Sequence, residues 1–226
     1  LREFLAGDGA DLNSLSLTMP LKEEALSIAD SVSAVSTQIH SGNTLHKVDG
    51  HWSLTSTDVE GFSHALAFNG KDAKGKVLII GAGATARAVV AACDGVSDTV
   101  SIINRTPDRE QALRKSGPDL DIEFLSWTSS IDFSDYDLVV NTTPGDTASI
   151  FVDQVKSVGS TFFEVLYNPF PTQLLNTWRK AGGFGIDGLD LLIHQAISQM
   201  EIFSGQTIER DAMAKMLRVV GEKALT

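Results

Sequence analysis

The pattern of apolar and polar positions divides this chain into three stretches. In the middle one, short apolar runs alternate with amphipathic segments. The runs near 77–80, 99–103, 120–125, 137–141, 160–166 and 183–186 read as strands. The segments near 84–93, 107–116, 148–157 and 171–181 read as helices, and Pro171 and Gly182 stand where start and stop signals of the last one belong. Such alternation predicts an α/β fold with a parallel, doubly wound sheet. The stretch before it is less regular. Residues 1–11 look like a helix tail, 12–18 a strand, and 21–29 a helix entered through Pro20. Two strand-like runs at 43–48 and 52–56 are joined by Asp49-Gly50, a hairpin signal. A helix at 59–68 follows, with Asp58 or Thr57 as its cap. Two helices close the chain, 188–204 and 207–225. In the first, Leu189, Leu192, Ala196, Gln199, Met200 and Phe203 approximate one face.

The alternating stretch opens on Val77-Leu78-Ile79-Ile80-Gly81-Ala82-Gly83-Ala84-Thr85-Ala86. A buried strand running into such a turn and then into a helix makes a phosphate site. Gly81 permits the bend, Gly83 lets a pyrophosphate approach the backbone, and Ala86 lets helix and strand pack closely. The free N–H groups and dipole of the helix face the anion. The next strand ends in Asn104-Arg105-Thr106, with Arg109 one turn further on. A site selective for NAD places Asp or Glu at such a strand end to hold the ribose hydroxyls. Two guanidiniums and a hydroxyl suit a 2′-phosphate instead, so the pattern predicts NADP(H). Ligands of doubly wound sheets bind at the carboxyl ends of strands. The loops Asn141-Thr142-Thr143-Pro144-Gly145 and Tyr167-Asn168-Pro169 follow two such ends.

Composition narrows the class. With 226 residues, 42% of them hydrophobic, the chain supports one large domain or two smaller ones with a sizeable core. No apolar run reaches membrane-spanning length, and Leu1-Arg2-Glu3-Phe4 lacks the basic and apolar regions of a secretory signal, so the expectation is a cytoplasmic protein. A single cysteine, Cys93, excludes a disulfide framework and a cysteine zinc site, and the five histidines are scattered, which suggests no metal. The net charge of −11 argues against nucleic acid and anionic membranes as partners, while local arginines still admit an anionic small ligand.

Three polar residues stand out. Lys22 falls in the first turn of a helix, where the dipole disfavours a cation. It is equally a candidate for function or a solvated lysine beside Glu23 and Glu24. Asp58 reads as a helix cap. Gln195 reads as a solvated helix position beside His194.

Taken together, six separated segments resemble the shikimate dehydrogenase family, in the family's order and over most of the chain. They are Thr18-x-Pro20-x-Lys22, Asn43-Thr44, Thr57-Asp58-x-x-Gly61, the Gly81-Ala82-Gly83 turn, Asn104-Arg105-Thr106, and Asp187-Gly188 followed by a helix carrying Gln195. The resemblance implies NADP-dependent reduction of 3-dehydroshikimate to shikimate in aromatic amino-acid biosynthesis. Lys22 and Asp58 would be the catalytic pair, an ammonium protonating the alkoxide that hydride addition creates. Thr18, Asn43 and Gln195 would bind ring hydroxyls, and Tyr167 would help line the site. Gly81, Ala82, Gly83, Ala84, Asn104, Arg105, Thr106, Arg109, Thr142 and Gly188 would contact NADP. It further implies a Rossmann-type nucleotide domain at 59–187. A smaller α/β substrate domain would take 1–58, closed by returning helices at 188–226, in a monomer or homodimer. Alternatives are a quinate/shikimate dehydrogenase of the same superfamily and a non-catalytic NADP-binding paralogue. Two departures stand against the pattern. Ser56 replaces the family's Asn before Thr57-Asp58. Nothing matches the Ser-x-Ser segment that binds the substrate carboxylate; Ser14 and Ser16 are not that motif, so the chain is expected to be a fragment of a longer protein.

Overall fold

A computed structural model of the chain describes residues 1–226 except Ser157, Pro169 and Thr226. It contains two sheets. Strand β5 (Lys76–Ile80) is apolar and fully buried beyond Lys76, because it lies in the middle of the larger sheet with helices on both faces. Around it stand β6 (Thr99–Asn104), β7 (Ile122–Ser126), β8 (Leu138–Asn141), β9 (Thr161–Glu164) and β10 (Phe184–Ile186). All pair in parallel, in the order β10-β9-β8-β5-β6-β7. The order reverses between β5 and β8, which is the switch point of a dinucleotide fold.

Each face of this sheet has its own apolar core. On one, α5 (Ala84–Cys93) and α6 (Glu110–Ser116) pack with α4 (Asp58–Phe68), burying Val77, Ile79, Val89, Val100, Phe62 and Phe163. On the other, α7 (Gln173–Lys180) brings Trp178 against Phe133 and Phe162, with Leu78, Ile80 and Phe151 alongside. Cys93 is one of these core residues, and burial pushes its thiol up to about 11.

The smaller sheet has the order β1-β3-β4-β2, from β1 (Ser14–Ser16), β2 (Ser31–Val32), β3 (Thr44–Val48) and β4 (His51–Thr55). The turn between β3 and β4 holds Asp49 at φ 51° and Gly50 at φ 82°, the primed hairpin geometry that Asp-Gly favours. Its buried core is short: Leu17, Ala25, Leu45 and Leu54. Helix α1 (Arg2–Ala6) lies at its margin, and α2 (Leu21–Glu24) runs into a 3₁₀ turn at Ala25–Ser27.

Two long helices complete the chain. Helix α8 (Gly188–Ser204) packs on α4 and on α9 (Arg210–Leu225). Arg218 of α9 fixes their start, donating to both oxygens of buried Asp187 at 2.8 and 2.7 Å and to Asp190 at 2.8 Å.

Several local expectations change. The pattern gave no element at 31–39, yet β2 and helix α3 (Ala34–Ile39) are there; Ser33 caps α3 by accepting from the Ser36 N–H, a signal present in the sequence. The segment expected as a helix at 148–157 is a 3₁₀ helix over Thr147–Gln154, and Ser157 lies outside the described residues. The inward face of α8 is Leu189, Ile193 and Ile197, whereas Leu192, Met200 and Phe203 are exposed. A helix buried against several neighbours does not present one tidy stripe.

Candidate active site

The smaller sheet and α8 bring four of the singled-out residues into direct contact. Lys22 lies on α2 and Asp58 begins α4, 36 residues apart in sequence. The Lys22 Nζ donates to Asp58 Oδ2 at 2.6 Å, with both side chains largely buried. Asp58 is therefore an ion-pair partner, not a cap; its own N–H donates to Ser56 Oγ at 3.3 Å, so Ser56 serves the helix start.

Asn43, 1% exposed, is the hub. Its Nδ2 lies at 3.0 Å from Asp58 Oδ1, 3.0 Å from Thr57 Oγ1 and 2.9 Å from Gln195 Oε1. Its Oδ1 accepts from the Thr57 N–H at 2.9 Å and from Thr44 Oγ1 at 2.7 Å. Gln195 is thus directed inward. Thr18 is exposed in the turn between β1 and α2. Its neighbour Leu17 donates from its N–H to the Asn43 carbonyl at 2.7 Å, which sets the turn beside the hub. Tyr167 is 46% exposed on the loop after β9. Among the described residues, no side-chain hydrogen bond joins Thr18 or Tyr167 to the Lys22–Asp58–Asn43–Gln195 group.

Gln199 escaped the sequence reading, which set it on an apolar face. It is 4% exposed and stands one turn beyond Gln195. Its Nε2 donates to the Asn43 carbonyl at 2.9 Å and to Thr44 Oγ1 at 3.1 Å, while its Oε1 accepts from Ser16 Oγ at 2.9 Å. Two glutamines four residues apart on one helix were the available signal.

The second part of the site lies at the carboxyl edge of the larger sheet. Gly81 adopts φ 112°, a region L side chains rarely enter, and a Cβ there would meet Thr142 Oγ1 at 2.5 Å. A Cβ on Gly83, the N-cap of α5, would project into open space, and no side chain caps the start of α5. Ala82 and Ala84 are half-buried between them, and Ala86 is buried beneath. Thr142 crosses back from β8, its Oγ1 donating to the Ile80 carbonyl at 2.9 Å. Asn104 shapes the end of β6 by donating to the Thr106 carbonyl at 2.7 Å. Arg105, Thr106 and Arg109 are exposed there. Arg109 Nη1 reaches the Ala82 carbonyl at 3.5 Å, and the Arg105 guanidinium lies over the Trp127 ring, 5.9 Å from its centroid. The glycine turn and the cationic cluster therefore form one surface. Gly188 is buried, and a Cβ there would collide with the backbone of Val165 and Leu166, so close packing explains the glycine.

Glu164 is a further buried group near this edge. It accepts from Asn141 Nδ2 at 3.0 Å on both oxygens, from Thr172 Oγ1 at 2.7 Å and from the Leu166 N–H at 3.1 Å. Burial raises its pKa against the opposing effect of these hydrogen bonds. It ties together the loops after β8 and β9, although Pro169 of the second loop lies outside the described residues. No group of three or more metal-ligating side chains occurs among the described residues, nor is any helix among them long and apolar enough to cross a membrane.

A dinucleotide-type sheet, a cationic edge and a Lys–Asp pair on a second, smaller sheet define a two-domain nucleotide-dependent α/β protein. Residues 65–163 match the family model described as shikimate / quinate 5-dehydrogenase. The NADP(+) shikimate dehydrogenase of Maricaulis maris (strain MCS10) is 35% identical over 208 residues, covering 88% of this chain and 73% of its own. Among solved structures, Mycobacterium tuberculosis shikimate dehydrogenase aligns with a TM-score of 0.85 at 28% identity, covering 96% of this chain and 83% of that one. The Thermus thermophilus shikimate 5-dehydrogenase, solved in complex with NADP(H) and shikimate, aligns at 0.78 with 26% identity, over 96% and 81%. The chain belongs to the shikimate dehydrogenase family.

Proposed function

We propose that this chain catalyses the reversible NADP-dependent reduction of 3-dehydroshikimate to shikimate, with Lys22 and Asp58 as the catalytic pair. The observation that carries this is the 2.6 Å contact between two largely buried, oppositely charged side chains from distant parts of the sequence. Capping or solvation needs no such pairing. Bound NADPH supplies the hydride. Lys22 Nζ then faces the developing alkoxide, stabilises its charge and delivers the proton. Asp58 fixes the ammonium in direction, and Asn43 fixes Asp58 in turn at 3.0 Å. The Asn43 amide lies near three acceptors but has only two hydrogens, so a ring hydroxyl can enter this set without stranding a donor. Gln195 and Thr18 would hold further hydroxyls, and Tyr167 would close one side.

The cofactor fits the residues present. Gly83 opens to free space before α5 between half-buried Ala82 and Ala84, Gly81 makes the bend that Thr142 packs against, Arg105, Thr106 and Arg109 suit the 2′-phosphate beside Asn104, and Gly188 is proposed to contact NADP from the start of α8. The Thermus thermophilus relative, solved with NADP(H) and shikimate, supports both ligands. We assign residues 1–58 with 188–226 to the substrate domain and 59–187 to the nucleotide domain, in a cytoplasmic monomer or homodimer. The family model's own description includes quinate. The Arg105, Thr106, Arg109 set favours NADP over NAD and says nothing about quinate; the shikimate dehydrogenase relatives support shikimate as the proposed substrate.

The test is shikimate-dependent NADP⁺ reduction followed as absorbance at 340 nm. K22A should lose most turnover and still bind NADPH. Unchanged turnover in K22A would remove the assigned role.

A further inference from the structure

Arg87 stands in the first turn of α5, directly after the glycine turn. A cation there opposes the helix dipole, and its side chain is only 6% exposed. A buried guanidinium persists only where its donors are taken up. The bonds its Nε and Nη2 make all run to the other sheet's region. Nε donates to the Ile39 carbonyl at 2.6 Å, and Nη2 donates to Glu23 Oε1 at 2.6 Å and to the His40 carbonyl at 3.3 Å.

Each partner adjoins a residue of the Lys22–Asn43 group. Glu23 follows Lys22 on α2. Ile39 and His40 end α3, and three residues later the chain reaches Asn43. The Gly42 N–H donates to the Lys22 carbonyl at 2.9 Å, which ties these two segments to each other. Arg87 therefore grips both segments at once, from the helix whose N-terminus is the proposed pyrophosphate seat. Its hydrogen bond and charge also hold the Glu23 carboxyl below the usual range, with a smaller contribution from Arg109 of the cationic edge.

We propose that Arg87 is a positioning residue: it holds the segments carrying Lys22 and Asn43 in register with the nucleotide turn, so that proton donor and hydride source keep a fixed relation. This rests on the functional reading of Lys22 and the glycine turn. The two halves of the reaction are supplied by different sheets, and transfer demands near-attack geometry across the gap between them. A latch joining α5 to α2 and α3 sets that geometry without touching either ligand.

The experiment compares the unmodified chain with R87M, R87K and E23Q in kcat, in KM for shikimate and NADP⁺, in NADPH affinity by fluorescence and in melting temperature. R87M should lower kcat about 10- to 100-fold, the scale of roughly ångström misplacement, and leave NADPH affinity within about threefold. R87K should recover part of kcat. E23Q, altering a half-exposed residue, should fold normally and lose about threefold in kcat by weakening one of the three contacts. Native kcat in a folded R87M, or a loss confined to melting temperature or NADPH affinity, would overturn the assignment. Should R87M not fold, native kcat in both R87K and E23Q would overturn it equally. A full-length protein that binds NADPH but never oxidises shikimate would remove the functional reading itself, and the role of Arg87 with it.

Discussion

The two sheets of this protein are held by different physics. Around the six-stranded sheet, Trp178, Phe133, Phe151, Phe162 and Phe163 are fully buried in two extensive apolar cores. Among the described residues, the apolar core of the four-stranded sheet is only Leu17, Ala25, Leu45 and Leu54, and beside that small core lies a buried polar network centred on Asn43. Apolar packing is non-directional and tolerates volume-conserving change. A satisfied polar network fixes individual atoms and fails when one member is lost. The larger region is thus built to stay folded around an exposed cationic edge, and the smaller to aim a few polar atoms.

Substitutions in the two regions should therefore fail in different ways. The largest effect falls on chemistry: K22A should cost about 10²–10⁴ in kcat per folded molecule, the usual worth of a general acid. W178A should do the reverse, destabilising the fold by about 3–5 kcal/mol in urea titration while the folded fraction keeps its kcat. Equal damage to kcat per folded molecule in W178A would break the contrast.

A third effect distinguishes the regions by pH. His194 of α8 is 1% exposed, with neither ring nitrogen hydrogen-bonded, and burial lowers its pKa from 6.5 to about 4. The unfolded chain takes up this proton at a pH where the folded chain does not. Its contribution is full above about pH 6.5 and is lost as pH falls towards 4, a change on the order of 3 kcal/mol. The H194L variant should show a correspondingly flatter urea midpoint between pH 7 and 4.5; a parallel curve would refute the assignment. Glu164 acts with the opposite sign. Burial raises its pKa, so its contribution is present at low pH and fades as pH rises through the folded value.

The smallest effect should fall on cofactor choice. R105A should weaken NADPH by about 1–3 kcal/mol and NADH hardly at all, measured by fluorescence titration of both. Equal loss for the two would refute the 2′-phosphate clamp. It would also show Arg105 to be held by Trp127 for packing alone.

The residues that were legible in sequence share a short range. The apolar run before Gly81 dictates a buried central strand, the glycine that follows dictates the bend, and Asp49-Gly50 dictates its hairpin, because each effect acts over a few residues. The alternation of runs and helices dictated the parallel sheet for the same reason. What adjacency could not supply was pairing. Asp58 sits where a cap belongs, and only the approach of α2 turns it into the partner of Lys22. Gln195 and Gln199 look like polar positions on a helix until β1 and β3 arrive beneath them. Arg87 looks like one more residue of an amphipathic helix, yet its partners lie 47 to 64 positions away. Local conformational preference is written along the chain. The side chain that meets a buried charge is decided only when separate elements close on one another and exclude the water that would otherwise have solvated it.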